Sequence, residues 1–234
     1  MAEPTQTEPT LRMGMPEDAA EIARVYIAAW REGNKLLTGS DKDTGDISDD
    51  AREAQRKRFQ SVLETGSREV LVAQAPSSAL CGFLTYGCSY TLKKHGEVYQ
   101  LFVDPCWQRR GVGRALLRRA VSNMQQASWS ARGIHTWGSK GNPGNAVYLR
   151  EGWKESGREK ELTPTLSPTP VQVVELVAPK TSQSRLHWIS RILASPKVRT
   201  AVVCLVAVAT ATLGPEARLC GWGLTSTSST SLGQ

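Results

Sequence analysis

The stretch from Glu97 to Gly138 constrains the fold more than any other part of the chain. "EVYQLFVDP" (97–105) alternates apolar and polar residues, is rich in β-branched and aromatic side chains, and stops at Asp104-Pro105. That pattern reads as a strand in a sheet interior. "QRRGVGRALLRR" (108–119) follows at once, with Gly111 and Gly113 leading into an apolar-basic helix of about 15 residues that ends near "SARG" (130–133). "IHTWG" (134–138) is then a second strand. Strand, helix and strand joined in this way pair in parallel through a right-handed crossover.

The other segments supply hairpins and outer helices. "TLRMG" (10–14) reads as a short strand. "MPEDAAEIARVYIAAWRE" (15–32) reads as a helix: Pro16, Glu17 and Asp18 suit its first turn, and Ile22, Val25, Tyr26 and Ala29 recur at helical spacing. A polar loop (33–50) leads to a second helix, 51–64, with Asp49 or Asp50 as the expected cap. Strands follow at 69–74 and 80–90, joined by the turn-forming "APSSA". "NPGNAVYLREGW" (142–153) is a short helix broken by Gly152, and 153–162 and 171–178 are the last strands. The order β-α-α-β-β-β-α-β-α-β-β predicts an α/β domain of the α+β kind: a mixed, mostly antiparallel sheet flanked by helices. The pattern dissolves from Pro179 onward. Residues 1–9 are expected to be disordered, 10–178 to form the domain, and 179–234 to be a poorly ordered or helical tail ending in the low-complexity "TSTSSTSLGQ".

A chain of 234 residues is long enough for one sizeable core and a tail. The formal net charge of +7 comes largely from Arg-rich helices, so it accommodates an anionic ligand without demanding nucleic acid. Five cysteines, at 81, 88, 106, 204 and 220, form no CxxC and no His-linked ligand pattern. That argues against a metal site and for a reducing compartment. "MAEPTQTEPT" is neither a secretory signal nor an Arg-rich transit peptide, so the expected location is the cytoplasm, with the nucleus also open to it. "AVVCLVAVATATL" (201–213) is uncharged and mostly apolar but shorter than the about 20 residues of a spanning helix. The expectation is a packed or loosely attached segment rather than a membrane contact.

Gly111 and Gly113 let the backbone turn sharply with several N–H groups pointing inward, at the start of a helix whose dipole adds partial positive charge. A diphosphate is the natural occupant. No Lys-Ser/Thr follows, so the segment is not a P-loop, and the third glycine and ribose-binding acid of a dinucleotide fingerprint are missing. On turn rules alone, a purely structural tight turn is an equal reading.

The surrounding motifs narrow the choice. "VDPCWQRRGVGRALL", preceded by an alternating strand, resembles the acetyl-CoA signature of the GNAT N-acetyltransferase superfamily, Gln/Arg-x-x-Gly-x-Gly/Ala, here Gln108, Gly111 and Gly113. The resemblance runs over residues 10–178, from "LRMGMPEDAAEIARV" through "EVYQLFVDP" and the signature to "NPGNAVYLREGW". It implies a GNAT-like fold and transfer of an acetyl group from acetyl-CoA, without a metal, to a primary amine on a small molecule or a protein, by direct attack on the thioester. It also implies that the backbone of Phe102 and Val103 holds the pantetheine arm. The amides of Arg109, Arg110, Gly111, Val112, Gly113 and Arg114 would hold the diphosphate, and the side chains of Arg109, Arg110 and Arg114 would reach phosphate oxygens. Arg118 and Arg119, one turn further on, are expected in solvent. The later segment is similar to the family's Asn-x-x-Ala-x-x-Phe-Tyr-x-x-x-Gly-Phe. Tyr148 and Gly152 keep its spacing and Trp153 stands for the final Phe; the asparagine spacing departs, so Asn142 and Asn145 both stay open as the cofactor ligand.

Such a transfer needs a neutral amine, because an alkylammonium with a pKa near 10.4 is protonated at pH 7. Glu97, at the start of the strand expected to line the cleft, is the candidate base; a plain edge carboxylate is the equal alternative. A strand N–H near Val103 would receive the oxyanion. The resemblance places Tyr148 to protonate the leaving thiolate. His95, His135 and His187 share no ligand spacing, Cys106 reads as a spectator, and the aspartates of 41–50 either sit in solvent or favour cationic amines. The rival function is a non-catalytic CoA-binding sensor or scaffold, which keeps the nest and needs neither Glu97 nor Tyr148. Nucleic acid is not an expected partner, since the arginine cluster lacks interleaved aromatic residues.

Overall fold

A computed structural model describes residues 8–38, 48–130, 132–164, 166 and 169–180. The first residues, most of the Asp-rich loop, His187, the apolar stretch 201–213 and the low-complexity end lie outside them. Among the described residues no helix is long and apolar enough to cross a membrane.

The strands are β1 (Thr10–Met13), β2 (Glu69–Gln74), β3 (Leu80–Cys88), β4 (His95–Val103), β5 (Gly133–Ser139), β6 (Lys154–Leu162) and β7 (Val171–Val177). They form a 7-stranded sheet in the order β1-β2-β3-β4-β5-β7-β6. Only β4 and β5 pair in parallel, and α3 (Val112–Gln126) connects them as the crossover expected from the sequence. Alternation along the strands divides the core in two. Leu71, Leu84 and Val98 turn to Leu116, Leu117 and Met124 of α3 and to Tyr148 of the short α4 (Ala146–Arg150). Val70, Val72 and Phe83 turn to Ile22, Val25 and Tyr26 of α1 (Ala19–Thr38) and to Phe59 of α2 (Asp49–Thr65).

The end of α1 and the cap of α2 are among the helix boundaries that differ from expectation. The α1 helix runs on to Thr38 instead of stopping at 32. Gly33 and Asn34 read as a stop, yet an interior glycine costs only about 1 kcal/mol against alanine, and the following Lys-Leu-Leu favours continuation. The α2 cap is Ser48, whose Oγ accepts from Ala51 N–H at 3.1 Å, and not Asp49 or Asp50. Those two occupy the first turn, where their charge suits the helix dipole.

The sheet has one defect that matters for function. β4 and β5 pair only from His95–Gly133 to Val98–Thr136. Beyond that point β4 continues to Val103 against β3, and β5 continues to Ser139 against β7. The two central strands therefore part into a fork. A bulge lies at its vertex: Thr85 opposes Gln100 while Tyr86 opposes Val98, which leaves Tyr99 as an extra residue in β4. Bulges bend the strand that carries them and increase its twist, which turns β4 away from β5 here.

Candidate active site

Backbone groups line the fork on the β4 side. Asp104 N–H donates to Cys81 O at 2.9 Å, so Gly82–Val103 is a pair whose own N–H and C=O groups point away from one another. Alternation then turns the backbone of Val103 and Leu101 into the fork and that of Phe102 towards β3. This corrects the expectation for Phe102. Its amide belongs to the sheet and its ring to the α1–α2 core, stacked on Phe83 at 5.7 Å, and Leu101 takes its place beside Val103. Val103 O accepts from Gln108 Nε2 at 3.1 Å, so Gln108 ties the following loop to the strand end.

That loop forms the wide end of the fork. Arg109 (φ 62°) and Gly111 (φ 86°) are both left-handed, while Arg110 between them is not, an alternation that curves successive N–H groups around a common point. Gly111 caps α3 without a side chain, so the N–H groups of Val112, Gly113 and Arg114 have no side-chain cap. A Cβ on Gly113 would lie 3.4 Å from Val103 Cγ2 and 3.8 Å from Val147 Cγ2, which places this face of the helix at the gap between β4 and α4. Arg110 rests on the Trp107 ring at 5.1 Å. Arg114 was expected at phosphate oxygens; its Nε instead pairs with Glu151. Arg118 is exposed, and its Nε meets the other Glu151 oxygen at 2.7 Å. The Arg118 and Arg114 guanidiniums hold the Glu151 carboxyl below its usual range and clamp α3 to the end of α4.

The two asparagines divide their work. Asn142 Oδ1 accepts from Gly144 N–H at 2.7 Å and closes the turn before α4. Asn145 Nδ2 donates to Ser139 O at 2.8 Å and lies so close over Gly138 that a Cβ there would overlap it. Asn145 thus fastens α4 to the β5 arm of the fork.

At the narrow end, Thr136 Oγ1 donates to Val98 O at 2.7 Å across the last parallel pair. The buried Tyr148 hydroxyl lies against Thr136, and burial pushes its pKa up to about 12. Glu97 precedes Val98 and so projects from the opposite face of the sheet. It is buried too, and its carboxylate accepts from Ser89 Oγ at 2.8 Å. Burial raises Glu97 above the usual carboxylate range, and Ser89, Lys160 and Arg68 oppose the rise only in part. The vertex is therefore flanked by a carboxylate on one face and a phenol on the other.

One residue escaped the sequence reading. His135 is fully buried and stands beside Glu97 in the parallel register. Its Nε2 is 2.9 Å from Ser89 Oγ and 3.6 Å from Glu97 Oε2. Its Nδ1 is 3.1 Å from Glu175 Oε1, at an angle that makes the contact electrostatic rather than a hydrogen bond. Burial lowers the His135 pKa to about 4 despite the pull of Glu175, so the ring is neutral at pH 7. Burial works to raise Glu175, but Arg158, Ser156 and His135 outweigh it and hold that carboxyl low. The three histidines look unrelated along the chain; counting the register of the expected parallel pair from Glu97 would have reached His135.

Comparison with known proteins agrees with this geometry. Residues 66–155 match the family profile described as the acetyltransferase (GNAT) domain. Residues 66–155 belong to a GNAT domain. Over 142 residues the chain is 26% identical to YuaI, an uncharacterized N-acetyltransferase of Bacillus subtilis, which covers 59% of this chain and 76% of that protein. The PaiA N-acetyltransferase of Thermoplasma acidophilum, solved in complex with coenzyme A, aligns with a TM-score of 0.54 and 17% identity over 71% of this chain and 97% of its own. A ribosomal-protein-alanine N-acetyltransferase from Brucella melitensis aligns with a TM-score of 0.53 and 16% identity over 73% and 99%. At these identities the structural likeness speaks for the fold. The seven-stranded, mostly antiparallel sheet is thus a GNAT-like fold, while the fork, the Gly-x-Gly helix and the Glu97–Ser89–His135–Glu175 chain are described from this protein's own residues.

Proposed function

We propose that the GNAT domain binds acetyl-CoA along the β4–β5 fork and acetylates a primary amine on a small molecule or a protein. The fork carries this reading: its narrow end lies between Glu97 and Tyr148, and its wide end meets the curved loop at Arg109–Gly111 and the uncapped start of α3. The relative solved with coenzyme A supports the choice of donor. The residues present fit that group. Amides 109–114 would take the diphosphate, Arg109 and Arg110 its charge, and the backbone of Leu101 and Val103 the extended arm. Acetyl-CoA supplies an activated acyl group.

The chain's own groups do the rest. Glu97 takes the amine's proton, and the burial that raises its carboxyl brings its basicity closer to the working pH. Ser89 and His135 continue the hydrogen-bonded path away from it. The N–C bond forms as the C–S bond breaks, and the sulfur leaves with the electron pair. A donor to the acyl oxygen is needed at the vertex. Val103 lies five residues past Val98, about 16 Å of strand, so we assign that role to Tyr99 N–H in the bulge and not to Val103. The Tyr148 phenol, held near 12, keeps its proton while donating a hydrogen bond to a thiolate whose conjugate acid lies near 8.5. It stabilises the leaving sulfur instead of surrendering its proton.

Coenzyme A release over a panel of amines tests this. Turnover that falls in both Glu97→Gln and Tyr148→Phe is expected. Tight binding of coenzyme A with no turnover on any amine would replace this reading by the non-catalytic module.

A further inference from the structure

Several cations of this domain are held by carboxylates: Arg12 by Asp18, Arg24 by Asp104, Lys140 by Glu159, Arg158 by Glu175. Arg68 and Lys160 are held by aromatic rings instead. The Arg68 guanidinium lies over the Tyr99 ring at 3.9 Å, with Tyr90 at 5.7 Å, and Lys160 Nζ lies over the Trp137 ring at 3.9 Å. Both cations are half-buried, and among the described residues neither donates to a carboxylate. Stacking occupies the face of a guanidinium and leaves its in-plane N–H fork open; an ammonium over a ring likewise keeps its three donors. Half-buried cations with open donors suit an oxyanion.

The two converge on one place. Tyr99 and Trp137 each follow by two residues the paired Glu97 and His135, and both cations act electrostatically on the Glu97 carboxyl. The Trp137 indole Nε1 is buried there without a hydrogen-bond partner. The Tyr99 hydroxyl, by contrast, is committed to Cys88 O. The neighbourhood of Glu97 thus combines a proton acceptor, two cations on aromatic walls and one unused N–H donor. A polyamine would meet like charge in it. An amine that also bears an oxyanion would neutralise that charge, and the nearby cations would favour its amine in the neutral form.

We infer that the acceptor is a small primary amine that also carries an oxyanion, a carboxylate or a phosphate, gripped by Arg68 and Lys160 while its amine faces Glu97. This rests on the acetyl-transfer reading. The test is coenzyme A release by the full chain on matched pairs: an amino acid against its carboxamide, an amino sugar phosphate against the free amino sugar, and a polyamine and an N-terminal peptide beside them. The anionic member of one pair is expected to lead by roughly 10- to 100-fold in kcat/KM. That lead collapses in Arg68→Gln and Lys160→Gln, mainly through KM, and survives in the control Lys57→Gln. The pair that shows it tells carboxylate from phosphate. A second readout needs no turnover: the indole ¹⁵N–H resonance of Trp137, assigned by its loss in Trp137→Phe, is titrated with N-acetylalanine, its amide and inorganic phosphate. A saturable shift with an anion only, abolished in Arg68→Gln, supports the site. Carboxamides, peptides or polyamines used as well as the acids, or an indole that responds equally to acid and amide, overturn the inference and leave acetyl transfer standing. Absence of turnover on every amine sinks the acetyl-transfer reading, and the indole titration then decides the oxyanion site alone.

Discussion

At the scale of single residues, the fork separates two effects that mutagenesis usually confounds. Glu97 is buried with its carboxyl raised, so folding favours its neutral form. A raised carboxyl contributes stability below its unfolded pKa and loses it as pH rises through the folded value. Once ionised, the group therefore weighs against the fold. Glu97→Gln removes the charge and keeps an acceptor for Ser89. Its kcat/KM is expected to fall about 100-fold or more, while its Tm at pH 7 stays level or rises; a large drop in Tm would show that the residue is structural. Tyr148→Phe should behave differently. The hydroxyl touches Thr136 at the vertex and no part of the wide end, so coenzyme A affinity by calorimetry should hold while kcat falls roughly 10- to 100-fold, the worth of a hydrogen bond to a charged sulfur.

At the scale of elements, local patterns and the one parallel pairing were readable, while the exact register and long-range side-chain contacts were not. The strand at 69–74, the helix after the glycines and the parallel crossover follow from periodicity and breakers within a few residues. Which amides face the fork depends on one extra residue, Tyr99, and nothing in "EVYQLFVDP" marks it; hence Phe102 stood where Leu101 belongs. The Arg114–Glu151 contact spans 37 positions and so has no local signature. The α4–β5 junction is a further case of this kind. Gly138 has no side chain because Asn145 occupies that space while donating to Ser139 O. Gly138→Ala must push Asn145 off the β5 arm, at a cost of about 1–3 kcal/mol, which a thermal melt would report as a drop of several degrees. It should also weaken coenzyme A binding by shifting α4 against the fork. Asn145→Ala in the same chain relieves the overlap, so the double variant should cost less than the sum of the two single ones. Strict additivity would mean that the junction does not work this way.

At the scale of the whole domain, the face of the sheet that bears Glu97 changes character across its width. Under α1 and α2 it is apolar, built on Val70, Val72, Phe83 and Phe102; no residue of β5, β6 or β7 joins that cluster. There the same face carries buried polar groups instead: His135 on β5 and Glu175 on β7, with Arg158 reaching in from β6. A polar layer of that kind ties stability to pH, and His135 sets the window. Its pKa falls from 6.5 unfolded to about 4 folded, so between those values the unfolded chain binds more protons and stability declines as pH drops from 6.5 towards 4. The full difference corresponds to about 3 kcal/mol at most. Glu97 acts in the opposite sense over part of this range, while Asp18, Glu151 and Glu175, all held low, contribute only below the ordinary carboxylate range. Comparing wild type with His135→Asn removes the ring's own titration, while Asp18 and Glu151, which do not touch it, are the same in both. The variant is expected to be less stable at pH 7, having lost its contacts to Ser89 and Glu175, yet to show a flatter Tm between pH 6.5 and 4, with the two curves converging as pH falls. Parallel curves across that window would show that His135 is not held neutral by the fold, and would remove the ring as a neutral partner for Ser89 in the path leading from Glu97.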